Sequence, residues 1–372
     1  MYRSVLNSDT FLRERSYRSA KAHSVIGHIR MLRDIARKLA APVLKRIDAR
    51  IEARVSQAVQ NQAAAIGGRS FAPTPWNAEQ EASLERRIDD AVHKRLYLPS
   101  FPSLFDADHI FMKYSTCSAA DFLHPQFSQL CQEFDYPPSY HRKLWEWVFV
   151  IHHLKQAGVL RTGSRGIGFG VGRERLPALF AKYGAQIVAT DASEELGKSV
   201  GWVKSNEHSS GVSQLLYPNV VDDDIVRSHV IHRACDMNRI DDDLTDFDFT
   251  WSCCCFEHLG SLEAGIEFVI NSVEKTLKIG GVACHTTEFN LSSNEDTLRE
   301  GATVLYRKRD MLELVERLRE RGHEVETFSV APDSHYLDGY VDVPPYTDNP
   351  HLKLALEGYT TTSVGIVVKR GR

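Results

Sequence analysis

Four glycines at alternate positions, Gly166, Gly168, Gly170 and Gly172, stand between a short apolar stretch and a helix-like pattern through Leu176, Leu179, Phe180 and Tyr183. A turn of this kind lets bare backbone approach a ligand where a strand gives way to a helix. The spacing excludes the dinucleotide fingerprint G-x-G-x-x-G, because the sixth position counted from Gly166 is Val171 and from Gly168 is Arg173. What remains is G-x-G-x-G, twice overlapping. Taken alone, that pattern also fits plain punctuation between two elements.

The order of segments around the turn narrows the fold. An apolar helical stretch, Leu144–Leu154, precedes it. A strand over 186–190, ending in Asp191, follows Gly170 by twenty-one residues. Then come strand patterns at 229–234 and 247–255, a helix over 262–277, Gly280-Gly281 and a strand over 282–286. Alternation of this kind predicts an α/β domain with a mainly parallel sheet. Before it, apolar residues from Ile29 to Val55 recur at three- and four-residue steps, as in an amphipathic helix, with Pro42 as a kink. The resulting division is an amphipathic arm over 1–68, a linker and helical cap over 69–143, and a catalytic domain over 144–372.

Charge follows the same division. Residues 1–60 hold thirteen Lys/Arg against five Asp/Glu, so the remainder carries −12 of a total of −4. An acidic body does not suit a nucleic-acid backbone, which calls for clustered cations. The basic arm instead suggests self-association or contact with an anionic membrane face. No run approaches the roughly eighteen apolar residues of a membrane span. Seven cysteines, an odd number with three adjacent at 253–255, do not read as a disulfide framework. With no apolar leader, the expected compartment is the cytoplasm, with the arm a candidate for contact with the inner membrane face. Cys117, His124, Cys131 and His141 are too widely spaced for a standard zinc site, and no metal is expected.

The glycine turn, Asp191, Asp236-Met237 and the succession of elements over about 160–290 resemble class I S-adenosylmethionine-dependent methyltransferases. The resemblance implies a Rossmann-like, seven-stranded, mostly parallel sheet whose last two strands pair antiparallel, here 324–330 with 361–369. It also implies S-adenosylmethionine as cofactor. Gly168, Gly170 and Gly172 would line its methionine and ribose end, Asp191 would hold the ribose, Asp236 would face the adenine amine and Met237 would pack on the ring. Gly166, Phe169, Ala192, Ser252 and Cys253 are assigned to the same wall. Asp236 also fits a turn-forming acid before Asn238. The family's acid just before the glycines is replaced by Gly166, so Glu174 becomes the candidate for the methionine amino group, although an acid there also suits a helix start.

Glu257-His258 resembles the acid–histidine pair found at the substrate pocket of small-molecule members, and the Asn/Asp-Pro-Pro-aromatic motif of amine-methylating relatives is missing. His141-Arg-Lys-Leu-Trp-Glu-Trp147, Glu257-His-Leu-Gly260 and His351-Leu-Lys-Leu354 resemble bacterial members tied to surface-glycan and secondary-metabolite assembly. The expected activity is therefore methylation of oxygen on a sugar or small polar metabolite. C- or N-methylation and an idle scaffold are the alternatives. His258 is the first candidate for the base, His285 the second, with Glu257 beside them. Long segments after 288 and between the last two strands place Glu288, Tyr336, Tyr340 and Tyr346 as candidate acceptor contacts.

Overall fold

A computed structural model describes residues 109–195, 208–347 and 349–372, all within the unit that spans Glu85–Arg372. The amphipathic arm and most of the linker and cap lie outside the described residues. Residues 109–143, read from sequence as the end of that cap, are packed into the core instead: Phe122, Phe127 and Phe134 are buried with the helix that follows.

Helices α1 (Ala119–Leu123) and α2 (Pro125–Glu133) lead to α3 (Arg142–Gln156). Then follow β1 (Arg165–Phe169), α4 (Leu176–Lys182), β2 (Gln186–Asp191), α5 (Asp223–His229), β3 (Val230–Ala234) and β4 (Phe247–Cys253). The chain closes with α6 (Leu262–Asn271), β5 (Leu277–Asn290), α7 (Lys308–Glu320), β6 (Glu324–Val325) and β7 (Tyr359–Lys369). Strands 3-2-1-4-5 are parallel neighbours, and β7 runs antiparallel against β5 over its whole paired length, Thr361↔Asn290 to Lys369↔Val282. This is a Rossmann-like, mostly parallel sheet, as expected, with nine strands among the described residues where seven were expected.

The expected closing hairpin is shorter than its sequence pattern. β6 holds β7 only at Val368↔Val325 and Lys369↔Glu324. The other end of the same edge is taken by Lys353–Leu356, which in turn pairs with Val341–Asp342. Residues beyond Val325 are drawn away because Ser329 is bonded to Ser115, its N to Oγ and its carbonyl to the Ser115 N–H.

Alternating strand residues feed two cores, as the pleat requires. Phe249 and Trp251 of β4 face α3 and α4, whereas Ile167 and Phe169 of β1 face α6 and α7; Phe247 joins the second core because the register against β5 shifts between Phe247 and Phe249. Gly166 and Gly168 belong to this packing. A Cβ on Gly166 would lie 2.2 Å from the Phe249 ring, and one on Gly168 would lie 2.3 Å from Trp251. These two glycines make room for aromatic rings inside the sheet rather than for a ligand.

Candidate active site

A cleft of about 430 Å³ opens at the carboxyl ends of β1, β2 and β4. That is where an open α/β sheet leaves a crevice. Its floor is the turn after β1, where Gly170 and Gly172 take φ of +59° and +50°. Only glycine enters that region without strain. A Cβ on Gly170 would also meet Cys255 Sγ at 2.7 Å.

Asp191 ends β2 on one wall and is almost wholly buried. Its Oδ1 accepts from Ala192 N at 2.8 Å, and its Oδ2 from Ser209 N (2.9 Å) and Ser209 Oγ (3.1 Å). These bonds fix the carboxylate's direction and leave lone pairs for a ligand. Ala192, Asp236, Met237 and Cys253 line the same cleft. Asp236 also caps its own turn, accepting from Asn238 N at 2.9 Å.

Across the cleft stand two groups of opposite charge. Lys143, on the first turn of α3, reaches the Cys253 carbonyl at 2.7 Å, Glu174 at 3.3 Å and Glu146 at 3.4 Å. Burial pushes the Glu174 carboxyl up to about 7, against the pull of Lys143. Glu174 Oε2 and the indole N–H of Trp147 are both buried and close, yet neither closes a regular hydrogen bond. Lys143 and Trp147 were not among the residues expected from sequence. The signal that marks them is a charged triplet, Arg142, Lys143 and Glu146, inside an otherwise apolar helix that precedes the glycine turn.

β4 ends at Cys253, and Cys254 turns into the left-handed region with φ of +51°. The strand read from sequence through Cys255 is therefore two residues shorter. Cys254 and Cys255 join Cys253 on the cleft wall, and all three are free thiols. His258 follows, also on the wall, with Nδ1 2.8 Å from the Ala302 carbonyl. That bond requires the proton on Nδ1, so Nε2 is the basic nitrogen. Ala302 belongs to the long segment after β5, which is stitched back by an antiparallel pair, Gly260–Ser261 with Glu300–Gly301.

Behind Cys254 lies a second cluster. The carboxylates of Glu257 and Glu288 and Cys254 Sγ each place an atom within 4.8 Å of the others. Glu257 accepts from Thr287 Oγ1 at 2.9 Å, and Glu288 is ion-paired with Arg142. Glu146 sits beneath, accepting from Cys254 Sγ (2.9 Å), Thr286 Oγ1 (3.3 Å) and Ser363 Oγ.

Several expected site residues do not reach the cleft. Gly166, Gly168 and Phe169 are core residues of β1, with the Phe169 ring against Phe268. Ser252 is buried and bonded to His285 Nδ1 at 2.8 Å. His285 is fully buried on β5, with Nε2 2.9 Å from Ser272 Oγ, so it is a structural histidine and not a base at the site. Alternation places its neighbours on the opposite face, which a strand pattern without registered partners does not reveal.

Burial lowers the His285 imidazole to about 3. The unfolded chain then takes up a proton near 6.5 that the folded chain refuses. Its contribution is whole above that value and is lost as pH falls toward 3. We expect His285→Gln to flatten the fall in stability between pH 6.5 and 4.5 by up to about 1.4 kcal/mol per pH unit, measured by urea titration at each pH. An unchanged slope would mean that the ring protonates in place.

Tyr336 and Tyr340 do not line the cleft. Tyr336 is exposed, and the loop that carries them is held by Asp338, which accepts from Ala119 N at 2.8 Å, and by buried Asp342, which takes His351 Nδ1 at 2.7 Å. Those carboxylates are structural anchors. Tyr346 donates to the Ala355 carbonyl at 2.7 Å and does not line the cleft; burial, then Glu288, pushes its phenol up.

Among the described residues, no helix is long and apolar enough to cross a membrane. No protein-family model and no curated protein matches the sequence. Solved structures do align with it. Magnesium protoporphyrin IX methyltransferase from Synechocystis shares 13% identity over 60% of this chain and 80% of its own, with a TM-score of 0.35. An S-adenosylmethionine-dependent methyltransferase from Clostridium acetobutylicum shares 12% over 66% and 98%, at 0.34. Phosphoethanolamine N-methyltransferase 2 from Haemonchus contortus shares 16% over 60% and 52%, at 0.34. The chain is thus similar, distantly and over about three-fifths of its length, to solved S-adenosylmethionine-dependent methyltransferases.

Proposed function

We propose that this chain is an S-adenosylmethionine-dependent methyltransferase acting on a small polar acceptor. The observation that carries the reading is the distribution of charge along the cleft. A fixed carboxylate, Asp191, stands at one wall, and a lysine beside an incompletely bonded carboxylate, Lys143 and Glu174, at the other. A nucleoside joined to an amino acid presents the matching groups: ribose hydroxyls for Asp191, a carboxylate for Lys143, an ammonium for Glu174. The bare backbone of Gly170 and Gly172 suits the middle of such a ligand. Met237, within the cleft, offers a thioether and apolar surface for a purine face.

When bound, that cofactor supplies a methyl group on a sulfonium, whose carbon–sulfur bond pair stays on sulfur. The chain's part is to hold the acceptor in line, keep water out and take a proton. His258, with Nδ1 tied to Ala302, is the group we assign to the proton. A sugar acceptor draws no support from Tyr336 or Tyr340, which lie off the cleft, so the acceptor is left at a small polar compound.

Calorimetry with S-adenosylhomocysteine tests the reading. We expect binding by the intact chain, weakened by Asp191→Ala on the order of 10- to 100-fold, the worth of one charged hydrogen-bonding partner. Absence of binding to the unsubstituted protein would remove the proposal.

A further inference from the structure

The cluster behind Cys254 has more negative than positive charge. Glu146, Glu257 and Glu288 are all buried there, with Glu174 buried nearby on the cleft, and among the described residues Arg142 pairs with Glu146 and Glu288, and Lys143 with Glu146 and Glu174. Arg173, the other cation on the cleft, turns its Nε to the His208 carbonyl at 3.4 Å. A buried carboxylate surplus is stable only when a proton or a cation joins it. On the methyltransferase reading, on which this inference rests, a sulfonium brings one positive charge; burial raises the Glu288 carboxyl to about 7, against the pull of Arg142, so a proton or a further cation is held there.

A second observation locates the missing partner. The Thr361 hydroxyl and Glu288 Oε2 are fully buried atoms on adjacent strands; burial raises the Glu288 carboxyl and the nearby Thr361 hydroxyl offsets only a part, and among the described residues neither atom forms a regular hydrogen bond. The Arg142 Nε, on the same ion pair, is likewise buried without an acceptor. Among the described residues, Glu257 meets a neutral threonine and no cation within ion-pair distance. The carboxylates lie within 4.8 Å of Cys254 Sγ, and Cys254 is on the wall of the cofactor cleft, which His258 also lines, while Glu257 and Glu288 stand behind that wall.

We propose that Glu257 and Glu288 form the acceptor subsite and that it takes a protonated amine, so the reaction is N-methylation of a small amine. The ammonium satisfies Glu257 and the open oxygen of Glu288 and cancels the remaining charge. It passes one proton to His258; the freed lone pair forms the nitrogen–carbon bond as the carbon–sulfur bond breaks with its pair on sulfur. The methylated product is again a cation, so the subsite is charge-matched before and after transfer. A metal ion suits the same three residues less well. The Cys254 thiol donates to Glu146 at 2.9 Å and so keeps its proton, and Glu288 already carries Arg142.

The full chain, incubated with methyl-¹³C-labelled S-adenosylmethionine and the small-molecule extract of the cells that make it, reports the atom methylated by the carbon shift of each new signal. We expect N-methyl signals alone. Glu257→Gln and Glu288→Gln are each expected to raise KM for the purified acceptor tenfold or more, while S-adenosylhomocysteine affinity stays within twofold as evidence of folding. O- or C-methyl signals, transfer abolished by a chelator, or retained KM in both variants would overturn the inference. So would cofactor binding with no methyl passed to any small molecule. Failure to bind S-adenosylhomocysteine strikes the methyltransferase reading itself and is seen separately.

Discussion

Glu146→Ala is expected to cost about 3–5 kcal/mol of stability, the usual consequence of removing one member of a buried ion pair. Glu146 is fully buried on α3, and its carboxylate joins that helix to the ends of β4, β5 and β7 through Cys254, Thr286 and Ser363. Without it, three donors lose their acceptor and Arg142 and Lys143 lose their nearest shared anion. Glu146→Gln keeps the shape and some hydrogen bonds, so its loss is expected to be smaller. Burial drives this carboxyl up, but Lys143 and Arg142, with bonds from Cys254 and Ser363, bring it below its ordinary value. Its stabilisation is therefore complete above the ordinary carboxylate range near 4.3 and is lost as pH falls below it. Urea denaturation at pH 7 and at progressively lower pH checks both parts: the gap between wild type and Glu146→Ala is large at pH 7 and closes in acid. A gap that persists in acid would assign the loss to packing.

For His258→Ala the expected result is a fall in kcat of about 10²–10⁴, the range for a lost general base. Affinity for S-adenosylhomocysteine should stay within twofold, because His258 is positioned by Ala302 on the acceptor side and not by Asp191. The kcat–pH profile of the variant should lie below that of the wild type throughout, because the group that takes the proton is gone. His258→Gln, which keeps a hydrogen bond but cannot take the proton, should be as slow as alanine. If both variants kept full turnover with the same profile, the proton would leave by another route, and Glu288 would be the next group to test.

The order of the sheet was legible because buried parallel strands are near-continuous apolar runs separated by helix patterns, a rule that β2 and β4 obey, whereas β1 was marked by its glycines and β3, at the edge, is only partly buried. Asp191 and the turn at Gly170 were legible for a local reason: an acid closing a strand and a glycine at positive φ each follow from a few neighbouring residues. The acceptor side was not. Arg142, Lys143 and Trp147 come from a helix before the motif, Thr361 and Ser363 from the last strand, and their meeting depends on β7 pairing with β5 in one register. His285 shows the converse error. It ends no strand: β5 continues to Asn290, and the pleat turns its ring into the core toward Phe268.

The contact between Gly166 and Phe249 bears on which substitutions the site can accept. The position just before the glycine turn cannot take any side chain while the Phe249 ring fills the space 2.2 Å from where its Cβ would be. The two positions are therefore coupled, and a change at either is conditional on the other. An acid introduced at 166 alone would be rejected on steric grounds, yet tolerable once residue 249 is small. A double-mutant cycle of Gly166→Asp with Phe249→Ala should show an interaction free energy well outside additivity. An aromatic ring in this space therefore closes position 166 to an acid, and the buried carboxylate that does line the cleft is that of Glu174.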